Sequence, residues 1–211
     1  MQFQSVSHTF VLEETDEKEV AELIKNLKNS SAGYDGISPM DVKNLSNELC
    51  PVLCHLINAI IKKGKFPESF KIATVTPISK TGSYSDLNDL RPISVLSTFN
   101  KVIEKFLYNR IMKYILKFKL LSSNQFGFRP KSNTETAAIE IVSAIRKTMD
   151  KKKIASIVFL DIKKAFDLVD RKILMGMLDL IGLRGKIAQI LESYLNRRLQ
   201  VVKIGDKISQ A

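Results

Sequence analysis

The chain has 211 residues, 45% of them hydrophobic and 26% charged, a balance that excludes a mainly disordered protein and allows a core without disulfide staples. Lysine and arginine number 33 against 22 acids, a net charge of +11, which points to a polyanionic partner. The excess is uneven: residues 1–60 carry 4 basic and 9 acidic residues, residues 61–211 carry 29 and 13.

No basic leader followed by an apolar run opens the chain, and no window reaches the roughly 18 apolar residues of a membrane span. The chain reads as soluble and intracellular, with no membrane partner. Cys50 and Cys54, beside His55, are too few ligands for zinc. They read as two thiols on or near a helix packing face in a reducing compartment, with no disulfide-linked partner.

Apolar positions Val20, Leu23, Ile24 and Leu27 predict an amphipathic helix over 16–29, with Asp16 and Glu19 as a capping pair. Gly33-Tyr34-Asp35-Gly36 breaks it, and Ser38-Pro39 starts a helix, or a pair jogged at Pro51, that runs to Gly64. The β-branched run Ile72 to Ser79 predicts a strand into a turn at Thr81-Gly82-Ser83. A long helix over 98–119 puts Val102, Ile103, Phe106, Leu107 and Ile111 on one face and lysines on the other. A further helix over 133–150 turns Ala138, Ile141, Val142 and Ile145 inward. Ile154 to Leu160 is the most strand-like segment and runs straight into Asp161. Helices over 171–180 and 184–196 precede a hairpin over 199–209 that turns at Gly205-Asp206. The mixture predicts an α+β fold with helices packed on a sheet.

A carboxylate at the end of an apolar strand is costly unless it is paired, hydrogen-bonded or metal-bound. Asp161 therefore reads either as a metal ligand or as a strand-end residue that caps the following turn. The amides after it suit phosphate oxygens, and Phe166 either stands beside what the metal binds or belongs to the core. Lys80 and Arg91 face each other if their segments form a hairpin, which suits a triphosphate; otherwise they are a solvated surface pair. The lysines at 113, 117, 119, 147 and 151–153 either track a nucleic-acid backbone or line solvated helix faces.

An ordered set of six segments then carries a resemblance. These are Ser31-Ala32-Gly33-Tyr34-Asp35-Gly36-Ile37, Thr76-Pro77-Ile78-Ser79-Lys80, and Leu90-Arg91-Pro92-Ile93-Ser94-Val95-Leu96 with Lys101 and Glu104. Gln125-Phe126-Gly127-Phe128-Arg129, the run from Phe159 to Asp167, and Ser193-Tyr194-Leu195-Asn196-Arg197-Arg198 complete it. From about Phe10 to Ser209 the chain resembles the reverse transcriptase of non-LTR retrotransposons, the jockey-like elements above all.

The resemblance implies a right-hand polymerase with helices packed on a partial antiparallel sheet, in which 1–71 is an N-terminal helical extension and start of fingers, 72–153 is fingers with interleaved palm helices, and 154–211 is the first half of the palm. It implies RNA-templated DNA synthesis by two-metal nucleotidyl transfer, with an RNA template, a DNA primer, deoxynucleoside triphosphates and Mg²⁺ as partners, in nucleus and cytoplasm. Asp161 and the carbonyl of Ile162 take the place of metal ligands, Asp161 being the catalytic carboxylate. Lys80 and Arg91 are placed on the triphosphate, with Ile162, Lys163, Lys164 and Ala165 near its phosphates and Phe166 beneath the sugar. Arg110, Gln125, Phe126, Gly127, Phe128 and Arg129 lie toward template and primer.

The family's next segments, a glycine-rich Pro-Gln-Gly run and an aromatic-x-Asp-Asp hairpin, are not found, and no two aspartates are adjacent. The expectation is a partial domain, truncated before the palm is complete and inactive alone. Its alternatives are a nucleic-acid-binding remnant of a decayed element that no longer catalyses, and an unrelated helical protein in which the segment before Asp161 would be an exposed helix.

Overall fold

The computed structural model describes residues 5–79, 82, 86, 89–205 and 207–210. The chain divides into two units, Met1–Lys113 with Arg171–Ala211, and Tyr114–Asp170.

In the first unit, α1 (Glu17–Lys25) starts where the Asp16 carboxylate accepts from the Glu19 amide, and it buries Val20, Leu23 and Ile24 as its apolar spacing requires. α2 (Pro39–Asn44) opens with a capping box between Ser38 and Asp41 and proline in its first turn. α3 (Ser46–Lys63) follows and ends on Gly64, whose φ of 67 supplies the left-handed cap. The predicted jog thus falls at Leu45, and Pro51 lies inside α3. Asn58 on α3 clasps the backbone of Thr15 from both sides, accepting from its amide at 2.9 Å and donating to its carbonyl at 3.0 Å. The Cys54 thiol donates to the same carbonyl; both cysteines are free, and burial and the Glu17 carboxylate push both thiols up.

After a 3-10 turn over Glu68–Lys71, β1 (Ile72–Ser79) pairs antiparallel with β2 (Leu90–Val95), Thr76 opposite Ile93 and Ile78 opposite Arg91. α6 (Arg171–Leu180) and α7 (Lys186–Leu195) lead to β3 (Leu199–Ile204) and the short β4 (Lys207–Ile208). The sheet order is β2-β1-β3-β4. Its sense corrects the antiparallel expectation: β1 and β3 run parallel, Thr74 opposite Val201. Strands joined through the helical connection from β2 onward are free to pair parallel, whereas a tight hairpin forces antiparallel pairing. β4 does return antiparallel to β3, Lys203 opposite Ile208. Gly205 has a φ of 57, and Asp206 of the predicted turn lies outside the described residues. α4 (Thr98–Lys117) buries Val102, Ile103, Phe106 and Leu107 as predicted, while Ile111 is only half-buried.

The second unit holds α5 (Thr134–Asp150), capped by Asn133. Two expectations fail in it. α5 has no buried residue, so Ala138, Ile141, Val142 and Ile145 do not point into a core. Ile154 to Leu160 forms neither strand nor helix. A strand exists only through a ladder with a neighbour, and among the described residues none pairs with this segment.

Candidate functional site

In the first unit the loop after α1 is fastened to the start of α4. The Thr98 hydroxyl donates to the Ile37 carbonyl at 2.8 Å, and the Lys101 ammonium reaches the Ser30 hydroxyl at 2.9 Å and the Ser31 carbonyl at 3.2 Å. Burial lowers the Lys101 pKa, against the pull of Asp35 and Glu104. Gly33 fits because it lacks a side chain: a Cβ there would stand 2.6 Å from the Ser97 backbone nitrogen.

This loop edges an open groove of about 400 Å³ on one sheet face, lined by Tyr34, Thr74, Thr76, Ile78, Ile93 and Lys203 among others. Arg91, opposite Ile78 in the ladder, shares that face and is exposed. Thr74 is 6% exposed, and its hydroxyl has no hydrogen-bond partner, an uncommon state for a buried polar atom. Thr74 carries no expectation from the sequence. The signal present was the alternation of threonines at 74 and 76, which places two hydroxyls on one face of a strand.

Lys80 lies outside the described residues. Arg110 is occupied within the unit: its guanidinium donates to Glu19 Oε2 at 2.7 Å, lies 3.8 Å from Glu13 Oε2 and rests on the Phe106 ring. Two motif residues without an assigned role, Glu104 and Tyr194, also meet. The Tyr194 hydroxyl donates to Glu104 Oε1, Asn100 donates to the same oxygen at 3.1 Å, and the Ser193 hydroxyl accepts from the Phe66 amide at 3.1 Å. Phe66 packs edge-on against the Tyr194 ring and the Arg198 guanidinium lies 4.6 Å from its centroid. Burial, with the Glu104 carboxylate, pushes the Tyr194 hydroxyl well above the usual tyrosine range.

In the second unit, Phe128 and Phe166 meet edge-to-face at 6.2 Å, which brings the 125–129 loop to the turn after Asp161. The loop braces itself: Gln125 Nε2 donates to the Gly127 carbonyl at 3.2 Å and Arg129 to the Ser122 carbonyl at 3.1 Å. Phe126 is half-buried. Phe128 at φ 58 and Lys164 at φ 54 both sit in the left-handed region, which costs a residue with a Cβ roughly 1–2 kcal/mol. The Lys164 carbonyl accepts from the amides of Asp167 and Leu168. Among the described residues the amides of Lys163, Lys164 and Ala165 donate to no carbonyl, as an anion-binding turn requires. Asp161 and Ile162 are exposed. Mg²⁺ takes about six oxygen ligands. Among the described residues no three His, Cys, Asp or Glu side chains come together to hold a metal. One lone carboxylate does not fit a metal-pair cage.

Residues 78–210 match the family described as reverse transcriptase (RNA-dependent DNA polymerase). The chain is similar to the probable RNA-directed DNA polymerase from transposon BS of Drosophila melanogaster, at 29% identity over 202 residues, 91% of this chain and 21% of that protein. It is similar to the probable RNA-directed DNA polymerase from transposon X-element of the same species, at 31% over 201 residues, 90% of this chain and 21% of that protein. The RNA-directed DNA polymerase from mobile element jockey, also of Drosophila melanogaster, is 31% identical over 154 residues, 72% of this chain and 17% of that protein. With its motifs in order and these matches across most of its length, the chain belongs to the reverse transcriptase family, in the jockey-like, non-LTR branch. It spans about a fifth of the length of these curated relatives. Among the described residues no helix is long and apolar enough to cross a membrane.

Proposed function

We propose that the chain contributes the nucleic-acid and nucleotide contacts of an RNA-directed DNA polymerase, with right-hand fingers over 72–153 and part of the palm over 154–211, and that these 211 residues do not themselves extend a primer. The observation that carries the reading is the Phe128–Phe166 pair. Two segments that the family resemblance assigns to template contact and to the sugar of the incoming nucleotide come together across nearly forty residues of sequence.

In this reading the three unengaged amides at 163–165 receive phosphate oxygens, while Phe166 presents a ring edge to the sugar and excludes a 2′-hydroxyl by contact. Arg91 supplies a planar, bidentate charge for a triphosphate, and Lys80 is proposed beside it. Gln125, Phe126, Gly127, Phe128 and Arg129 form the surface for template and primer. Arg110 is likewise proposed to face template and primer, a role that requires it to give up its Glu19 partner. Asp161, with the Ile162 carbonyl, remains the proposed metal ligand of the parent polymerase. The Mg²⁺ cage is incomplete among the described residues, and that observation favours the reading of this chain as binding nucleic acid without catalysing.

The test pairs two measurements on the full 211-residue chain. A labelled DNA primer on an RNA template should bind by fluorescence anisotropy, with affinity falling steeply as salt rises, by roughly 0.9 logarithmic units per contacted phosphate for each unit in log salt. The same duplex with Mg²⁺ and deoxynucleotides should yield no extended product. Failure to bind at low salt would overturn the binding assignment, and templated extension would overturn the inactivity.

A further inference from the structure

The first unit carries a cluster of cations with no part in the proposed template and nucleotide contacts. Gly64, the left-handed cap of α3, lacks the Cβ that would stand 2.4 Å from the Gln189 side chain and 3.2 Å from that of Lys186, so the end of α3 packs closely on the start of α7. That approach sets Lys63 and Lys65, on either side of Gly64, beside Lys186. Lys63 and Lys65 also line an open hollow of about 280 Å³ with Glu68. The hydrogen bond from Lys71 first, then the charges of Lys71, Lys65 and Arg197, hold the Glu68 carboxyl below its usual range. Lys71, 2% exposed, engages that carboxylate at 3.0 Å. Lys63, Lys65, Lys186 and Arg197 are exposed, and among the described residues none of them is in an ion pair.

Lys63, in the last turn of α3, stands where the helix dipole favours a cation. Two others stand where local physics opposes them. Lys186 is the first residue of α7, whose first turn holds no acid and whose N-cap, Gly185, supplies no side-chain hydrogen bond; a cation there faces the positive end of the helix dipole. Arg197 has a φ of 54, a left-handed conformation that glycine or asparagine adopts at less cost. An acid at 186 and a glycine at 197 would each suit the fold better. Positions that break local rules are those at which function is expected to offset the loss.

Unpaired cations of this kind match phosphate oxygens. The rings beside them offer no stacking platform, because Phe66 is buried and Tyr194 is half-buried against the Arg198 guanidinium. Binding of unpaired strands draws on exposed aromatic rings, so the cluster suits a duplex held by its backbone without base contacts. We propose that Lys63, Lys65, Lys186 and Arg197 form a binding surface for the phosphate backbone of duplex DNA, through residues other than those proposed for template and primer. The proposal stands independently of that assignment, because its probe has no 3′ end to extend and no template overhang.

The probe is a DNA duplex closed at both ends by hairpin loops, titrated with the full 211-residue chain in fluorescence anisotropy across a salt series. Lys186→Glu and Arg197→Gly should each weaken binding and lower the slope of log affinity against log salt by at least about 0.9, the value of one phosphate contact. Combined, they should lower it by about 1.8 or more. Each variant should nevertheless unfold at a denaturant midpoint no lower than the parent's, since each removes a local conflict. Lys65→Ala should reduce the slope likewise, and a single strand of the same length should depend less on all of these residues. A closed duplex left unbound at low salt, slopes unchanged in both Lys186→Glu and Arg197→Gly, binding lost only in step with stability, or variants that weaken the single strand and spare the duplex would each overturn the proposal.

Discussion

Tyr194 donates its proton to Glu104 between the Phe66 ring and the Arg198 guanidinium, and that arrangement ties the end of α7 to the middle of α4. A hydrogen bond to a charged acceptor contributes about 1.5–3 kcal/mol. Tyr194→Phe keeps the ring and its edge contact with Phe66, so the expected loss in denaturant unfolding at neutral pH is about 2 kcal/mol. The ionisation gives a second, independent readout. The folded pKa of Tyr194 is raised, by burial first and by Glu104 second, above an unfolded value of about 10. The folded chain therefore binds this proton more tightly than the unfolded chain, and the associated stability is complete below about pH 10 and is lost as pH rises through the folded value. In alkaline titration, the near-ultraviolet tyrosinate difference between parent and Tyr194→Phe should appear only above the usual tyrosine range. A difference that appears within that range would show the hydroxyl to be freely ionisable and the bond to Glu104 unimportant.

At the scale of elements, the first turns of α4 act as a clamp on the loop over residues 30–37. Thr98 is fully buried, and its hydroxyl supplies the Ile37 carbonyl with its side-chain donor. Thr98→Val preserves shape and removes that donor, so the 30–37 amides should exchange with solvent about tenfold faster, the equivalent of one neutral hydrogen bond, while α3 is unaffected. Unchanged exchange in the loop would mean that Lys101 and the close Gly33–Ser97 approach hold it alone. The elements read correctly from sequence are those whose signals are local: the Asp16 and Ser38 caps, the apolar stripes of α1 and α4, and the β-branched run of β1 all stand where expected. Features set by distant partners were not legible. Nothing near Leu199 announces a parallel neighbour at Ile72, Arg110 gives no local sign that Glu19 will engage it, and Ile154 to Leu160 has every strand signal except a strand beside it. The candidate site divides the same way. Phe128 and Phe166 were each singled out by motif, but their contact is a fact of tertiary structure.

The two units should differ in stability as whole bodies, because burial is concentrated in one of them. Among the described residues of the Tyr114–Asp170 unit only Tyr114 is buried, whereas the other unit buries apolar side chains from α1, α3, α4, α7 and the sheet. The 17-residue α5 has a capping box at its start and no buried residue anywhere along it. Isolated helices of about this length are marginal in water, so local opening of α5 should cost little, while α3 and the first three turns of α4 open only with the core around Phe66, Ile57 and Phe106. Native-state hydrogen exchange should therefore protect the amides of α3 and of the first three turns of α4 at least 100-fold more than those of α5, a gap of about 2.7 kcal/mol in opening free energy. Denaturant sensitivity supplies the discriminating control, since exchange in α5 should proceed through small openings with little dependence on denaturant, and exchange in α3 should carry the slope of global unfolding. Equal protection in α5 and α3, with a common slope, would show that the chain unfolds as one cooperative body and that the exposed stripe of α5 is covered in solution.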